Sequence, residues 1–509
     1  MEEVSNKKRI VKNTLVLYFR QILILFISLY SVRGVLNVLG AEDYGVYNVV
    51  AGIVTMFNFL STAMAASTQR FYSFALGQND NNGLRKIFCI TLEIYVILIF
   101  IIFLLSETFG LWFVGHKLVI PSERLNSALI VYQFAIFTFI FGLVSAPFMA
   151  LIVSNEDMSV YAYVSIIEAL LKLAVVFALK FLNFDKLILY GILLCLVSFV
   201  IAFVYFACCK VKYKETKFSL TWDKKIFNEI SSFSGWCLFG TGAGIVKNQI
   251  TNIFLNMFFG PVVNAARGIA INVNSAVMSF SSNFNMAVRP QIVKSYSVGN
   301  KNEAFRLVFQ STKMSFLLLF VFLLPLYLEM DYILNLWLKN VPEMTVTFTR
   351  LILIEFIFDT FSYPLQSLSQ ASGKMKLYQS VVGGVLLLNL PFGYIALKIG
   401  FSAYSVQFVA IFIGFLAFVL RVFINSHLTG LKTKDYFLKT FLPCFITAVC
   451  SCALPVVVYF MLADSFLRLV LLVLVSLLSI AFFALTICLN KEERKQFFNF
   501  IKRKIRGGK

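Results

Sequence analysis

Histidine is almost missing from this chain: His116 and His427 are the only two in 509 residues. A histidine-based metal or catalytic centre therefore has almost no raw material, and no metal site and no catalytic residue are expected. The nine cysteines lie within apolar stretches or at their ends, with no CxxC spacing, which argues against a disulfide framework and against a zinc site. Charged residues make up only 14%. No stretch outside the apolar runs is long enough to fold as a separate soluble domain. A membrane polymerase or glycosyltransferase would need a large catalytic loop, and none is present. The basic N-terminus, MEEVSNKKRIVKN, resembles the start of a signal peptide, but no small-residue cleavage site follows it. Its apolar run is also too long for an h-region, so a retained first helix is expected.

What the chain has in abundance is apolar sequence. Hydrophobic residues reach 59% and the mean hydropathy is +0.83. Runs of about 20 residues recur, each long enough to cross about 30 Å of hydrocarbon at 1.5 Å per residue. The runs predict fourteen transmembrane helices. A formal charge of +20 could point to nucleic acid. Its placement points elsewhere, because Lys and Arg crowd into alternate loops and both termini, the positive-inside pattern. No nucleic-acid partner is expected. Both termini should be cytoplasmic, with 40–43 and 329–343 on the opposite side. The loop SNEDMS, after the fourth helix, departs from the pattern. The basic tail KEERKQFFNFIKRKIRGGK should lie on the inner leaflet.

The chain is organised around the stretch from Asn13 to Arg85. Its first helix carries Arg20 and Arg33 within the apolar run, and its second carries Tyr47, Thr55, Asn58, Thr62 and Gln69 along one face. Charge at membrane depth costs about 2.5–3.5 kcal/mol per group and normally faces protein or water. These residues suggest a hydrated, cationic cavity, although both arginines lie near enough to a helix end to act as snorkelling anchors. The seventh helix adds Lys247, Asn248, Asn252 and Asn256, and the eighth adds Asn264, Arg267 and Asn274. Glu355 and Asp359 stand one turn apart on the tenth helix. Two readings stay open for them: a coupling site for H⁺ or Na⁺, and a salt bridge to Lys247 or Arg267 across the lobes. Glu168 and Lys172 are spaced as a self-neutralising structural pair. Glu93, Lys313 and Arg421 say nothing individually.

An internal duplication shapes the rest. Pro147, Met158 and Tyr161 recur with identical spacing as Pro364, Met375 and Tyr378. The turn at Gly40 has a counterpart at Gly260, and Gly77 is matched to Gly299. Six helices separate the copies, so the repeats are parallel, with a central cavity expected between two lobes. The expected fold is an all-α polytopic membrane protein. It comprises a six-helix lobe over 1–209, a basic cytoplasmic linker over 210–226, a second six-helix lobe over 227–426, extra helices 13 and 14 over 427–489, and a basic tail over 490–509. The extra pair, nearly free of polar residues, is expected to form a hydrophobic annex for a lipid tail.

This organisation, with the segment LGAEDYGVYNVVAGIVTMFNFLSTAMAASTQRFYSFALGQ, resembles the polysaccharide-transport branch of the MOP superfamily, above all Wzx-type O-antigen flippases. The resemblance implies alternating access that moves undecaprenyl-diphosphate-linked oligosaccharide across the bacterial inner membrane, in lipopolysaccharide or capsule synthesis. It also implies that Arg20, Arg33, Lys247 and Arg267 hold the diphosphate, with Asn58, Asn248, Asn252 and Asn274 as polar cavity residues. Implied partners are membrane lipids and the polymerase and chain-length proteins of the same pathway. No cofactor is expected beyond a coupling ion, H⁺ or Na⁺. A MATE-like multidrug antiporter of the same fold is the alternative, and it should present acids rather than bases to its substrate.

Overall fold

A computed structural model describes residues 2–55, 57–116, 122–181, 184–213, 216, 222–338 and 341–495. The basic tail beyond 495 and most of the linker between the two halves lie outside them. The described residues are almost wholly helical, as the apolar runs require of any chain that must satisfy its backbone inside lipid. In chain order the long elements are α1 (Asn13–Gly40), α2 (Asp43–Val54 with Asn58–Gly77), α3 (Asn81–His116), α4 (Leu125–Ser154), α5 (Met158–Phe181) and α6 (Lys186–Lys212). They continue with α7 (Lys224–Phe259), α8 (Pro261–Ser297), α9 (Lys301–Leu328) and α10 (Thr345–Ser372). The last are α11 (Met375–Lys398), α12 (Ser405–Thr429), α13 (Thr433–Met461) and α14 (Phe466–Cys488).

Ten of these helices are long and apolar enough to cross a membrane, and eleven if bent α2 counts as one span. The remaining three, α7, α8 and α10, have 36, 37 and 28 residues, ample length, but fall short in apolarity. They are the helices that carry Lys247, Arg267, Glu355 and their polar neighbours. Among the described residues, length and apolarity together thus show ten or eleven spans where fourteen are expected.

Two helices are irregular. The second helix is broken between Val54 and Asn58, where its halves meet at 48°. The polar residues read as one stripe therefore sit on two separate cylinders. The third does not stop at Leu105: a π-helical turn over Ser106–Gly110 carries it on to His116. The Tyr132 hydroxyl donates to the Ser106 carbonyl at 2.8 Å, stabilising this wider turn from the neighbouring helix.

The contact pattern divides the chain into an N-terminal unit (Met1–Thr241 with Val293–Gly299) and a C-terminal unit (Gly242–Ile292 with Asn300–Lys509). The division falls inside α7 and again near the end of α8. In the N-terminal unit, α4 packs along α6. The core there includes Val50, Val131, Tyr132, Ile136 and Val176, none more than 1% exposed. In the C-terminal unit α10 packs along α12 and α9, and α13 and α14 pack on each other and on α9. Buried ion pairs fasten α14 and its continuation to α9. Arg468 makes a forked pair with Glu329 at 2.5 and 2.8 Å, and Lys313 meets Glu493 at 3.0 Å. Lys313 thereby gains a role that its position in the sequence did not suggest.

One of the two glycine pairs matched in the sequence shares a backbone conformation. Gly40 and Gly260 both turn the chain at φ near +80°, where a side chain would be strained. The second matched turn needs correcting. The residue equivalent to Gly299 (φ 79°) is Asn79 (φ 55°), two positions after the expected Gly77. Each precedes a helix N-cap: Asp80 accepts from the Gly83 amide at 2.8 Å, and Asn300 from the Glu303 amide at 3.2 Å.

Gly77 is required for another reason. A Cβ there would stand 2.8 Å from the Lys294 Cα and 2.9 Å from its carbonyl oxygen, so two backbones meet with no room between them. Gly77→Ala is expected to destabilise the protein by about 1–3 kcal/mol through overpacking. Gly45→Ala, with nothing within 4 Å of the new atom, is the control and should leave the thermal midpoint unchanged or slightly raised. Melting of the two purified variants decides it, and a wild-type midpoint for Gly77→Ala would show that the contact gives way freely.

The acidic loop SNEDMS is explained by its partners. Glu156, at φ 63° in the α4–α5 turn, pairs with Lys294 at 2.8 Å, and Asp157 pairs with Lys212 at 3.0 Å. The Asn13 side chain donates to the Glu156 carbonyl at 3.0 Å. The loop's acids are thus neutralised by basic residues of the same unit.

Candidate functional site

Each unit holds a group of charged and amide side chains contributed by several helices. In the C-terminal unit, α7 presents Asn248 and Asn252, one turn apart, on one face and Lys247 beside it. Lys247 forms an ion pair with Glu355 of α10, and the other Glu355 oxygen accepts from the Gln407 amide of α12. One carboxylate thus ties three helices. The salt bridge left open from the sequence is present, but inside one unit and not across two. Asp359, half-exposed one turn further on, faces Arg421 of α12 at 3.8 Å.

Arg267 of α8 is held differently. It is 4% exposed, and its guanidinium donates to the Asn252 side chain, and to the Asn248 side chain and carbonyl at 3.4 and 3.5 Å. Its Nε is buried without a hydrogen-bond partner among the described residues. Amides orient a guanidinium without cancelling its charge, and the carboxylate that also acts on Arg267, Glu355, is hydrogen-bonded to Lys247 and Gln407 instead. Asn274 is half-buried two turns along α8, and its Oδ1 has no hydrogen-bond partner among the described residues.

In the N-terminal unit, Arg20 is buried, stacks over the Tyr161 ring at 4.7 Å and donates to Gln21 at 3.3 Å. It lines a cavity of 420 Å³ with Ser31, Tyr161, Glu168, Lys172 and Tyr190. Glu168 and Lys172 are paired at 2.6 Å, as their spacing predicts, but the pair is also part of the cavity wall. Arg33 is exposed and does not line this cavity. Asn58 is exposed on the first turn after the break in α2.

Sequence reasoning missed Gln407, Arg421 as the partner of Asp359, and the cavity role of Glu168 and Lys172. For the first two a signal existed. An amide and a guanidinium at the two ends of the apolar run of α12 need partners, and α10 carries the two carboxylates.

Residues 244–395 match the MatE family model. No curated protein matches the chain. Among solved structures, an outward-facing multidrug-resistance MATE transporter of the MOP superfamily is similar, with a TM-score of 0.74 at 12% identity over 84% of this chain and 97% of that one. A MOP-superfamily transporter from Pyrococcus furiosus, described as having a binding pocket of reverse polarity that suggests a different function, gives 0.71 at 12% identity over 85% and 96%. The MATE transporter ClbM, in complex with Rb⁺, gives 0.69 at 15% identity over 85% and 96%. All three are transporters. The likeness extends over nearly the full length of each, and the chain has the fold of the MATE transporters of the MOP superfamily.

Proposed function

We propose that the protein is a multi-pass membrane transporter that moves a polyprenyl-diphosphate-linked glycan from the inner to the outer leaflet of the bacterial inner membrane by alternating access, with both termini cytoplasmic. The observation that carries this reading is Arg267, a buried arginine on a long helix, hydrogen-bonded by asparagines and left with an unused Nε donor. A cation at membrane depth is expensive unless it has a function. A diphosphate suits it, because guanidinium forms forked, charge-assisted hydrogen bonds to phosphate oxygens. Arg20 in the other unit supplies a second buried guanidinium. Lys247, already neutralised by Glu355, contributes less to anion attraction than its position in the sequence implies. The Pyrococcus furiosus transporter supports the idea that this fold accommodates pockets of more than one polarity.

A second reading, a MATE-like exporter of organic cations, is favoured by the MatE match over 244–395 and by half-exposed Asp359. In either case Glu355 and Asp359 are the proposed site for a coupling cation, and ClbM is a transporter of this fold in complex with a monovalent one.

Reconstitution separates the two. Proteoliposomes loaded with undecaprenyl-diphosphate-linked glycan are treated with an external glycosidase that reports the exposed fraction, and a parallel set is assayed for ethidium extrusion. Glycan exposure that requires the protein is the expected result. Ethidium extrusion driven by a proton or sodium gradient, without glycan exposure, would replace the first reading with the second.

A further inference from the structure

We infer that Cys444 and Cys488 form a modification site, a dithiol that a peroxide converts to a disulfide joining α13 to α14 inside the C-terminal unit. Their sulfurs lie 3.6 Å apart although 44 residues separate them in the chain, a spacing outside any CxxC motif. Both are buried, at 0% and 1% exposure. A buried cysteine by itself is a small apolar side chain and needs no function. Cys209 fits that description, with its thiol donating to the Phe148 carbonyl at 3.5 Å. Cys444 and Cys488 instead meet thiol to thiol.

The backbone beside both thiols is built to yield. A disulfide holds its sulfurs at about 2.05 Å, so the pair must close by about 1.5 Å. A π-helical turn stands next to each: Phe437–Phe441 ends three residues before Cys444, and Ala484–Cys488 ends on Cys488 itself. Such turns are rare and gather at functional sites, and the wider ring leaves slack that a small shift can take up. The Lys313–Glu493 pair, which fastens the continuation of α14 to α9, acts electrostatically on both thiols. The disulfide therefore adds a covalent tie where α9, α13 and α14 meet.

Access sets the order of the steps. Cys488 closes α14, two positions before exposed Asn490, so fraying of that end brings it to water. Cys444 lies within α13 and stays covered. The Cys488 sulfur attacks one oxygen of hydrogen peroxide and breaks the O–O bond. It becomes a sulfenic acid, and the hydroxide released leaves with the thiol proton as water. The Cys444 sulfur then attacks the Cys488 sulfur, forming the S–S bond and expelling the hydroxyl, which takes the Cys444 proton as a second water. The two thiols lose two electrons and two protons, and one peroxide becomes two waters.

The test treats the full chain in lipid nanodiscs with hydrogen peroxide, denatures it in N-ethylmaleimide and digests it for mass spectrometry without reductant. The expected product is a joined Cys444–Cys488 peptide pair, lighter by two hydrogens than the two thiol peptides together. Alkylation of both cysteines should be lost, and dithiothreitol should restore it. In Cys444→Ala the reaction should stop halfway, so that dimedone labels Cys488 as its sulfenic acid, a signal absent from the wild type. The oxidised wild type should also melt at a higher temperature than the reduced protein, because the tie closes a loop between residues 44 positions apart in the unfolded chain. Cys444→Ala should show no such rise. Full alkylation of both cysteines after peroxide, or crosslinks among other cysteines in place of this one, would overturn the site. Neither outcome depends on which substrate the protein carries.

Discussion

Arg267→Gln is expected to abolish glycan exposure in proteoliposomes while leaving the thermal midpoint unchanged or raised. The two halves of this result have one cause. Arg267 is 4% exposed, and its hydrogen bonds go to Asn248 and Asn252. Replacing it by a neutral amide removes a buried charge that no carboxylate hydrogen-bonds, which relieves a desolvation cost of about 2.5–3.5 kcal/mol on insertion scales. The glutamine still donates to the asparagines. A residue that costs stability and is needed for transport belongs to the substrate path. Arg267→Lys should keep partial activity, since an ammonium supplies the charge but not the fork. A clear drop in melting temperature for Arg267→Gln would mark the arginine as a structural element of the α7–α8 contact.

Glu355→Gln is expected to fail in the opposite way. It removes the charge that balances Lys247 and leaves one acceptor oxygen where Lys247 and Gln407 each had their own. Leaving one member of a buried pair costs about 3–5 kcal/mol, a large share of the stability of any domain. The single variant should melt markedly lower and transport nothing. The double variant Lys247→Met with Glu355→Gln removes both charges and should recover most of the stability. Its transport then decides the role of Glu355: a melting midpoint restored without transport identifies a coupling carboxylate, and full transport identifies a strut. Asp359→Asn, which loses only a 3.8 Å contact to Arg421, should leave stability nearly unchanged. It makes the cleaner test of ion coupling, read as a lost response to pH or sodium.

Much of the helical skeleton is legible in the residues, because an apolar run bounded by charge has one stable form in lipid. The turns at Gly40 and Gly260 are legible for a related reason, since only glycine occupies their backbone conformation without strain. The asparagine spacing on α7 marks a face, and that face does receive Arg267. Periodicity names the face but not what it meets. Hence the pairing of Glu355 with a lysine of its own unit, and the opening of the Glu168–Lys172 pair onto a cavity with Arg20, depend on contacts between helices distant in sequence. The break in α2 and the π-turn at Ser106 have no local signature. No proline or glycine marks the first, and the second is held by a hydroxyl from another helix.

The acidic α4–α5 turn carries a consequence for the order of events during synthesis. Glu156 emerges from the ribosome with its eventual partner Lys294 still 138 residues away. At about 5–20 residues per second, that is a delay of roughly 7 to 28 s. Asp157 gains Lys212 partway through that interval, and Glu156 alone waits for its lysine to the end of it. The orientation of the early helices is therefore decided by a chain more negative at this point than the finished molecule is. The lysine that makes the loop electrically ordinary arrives too late to help choose its side of the membrane.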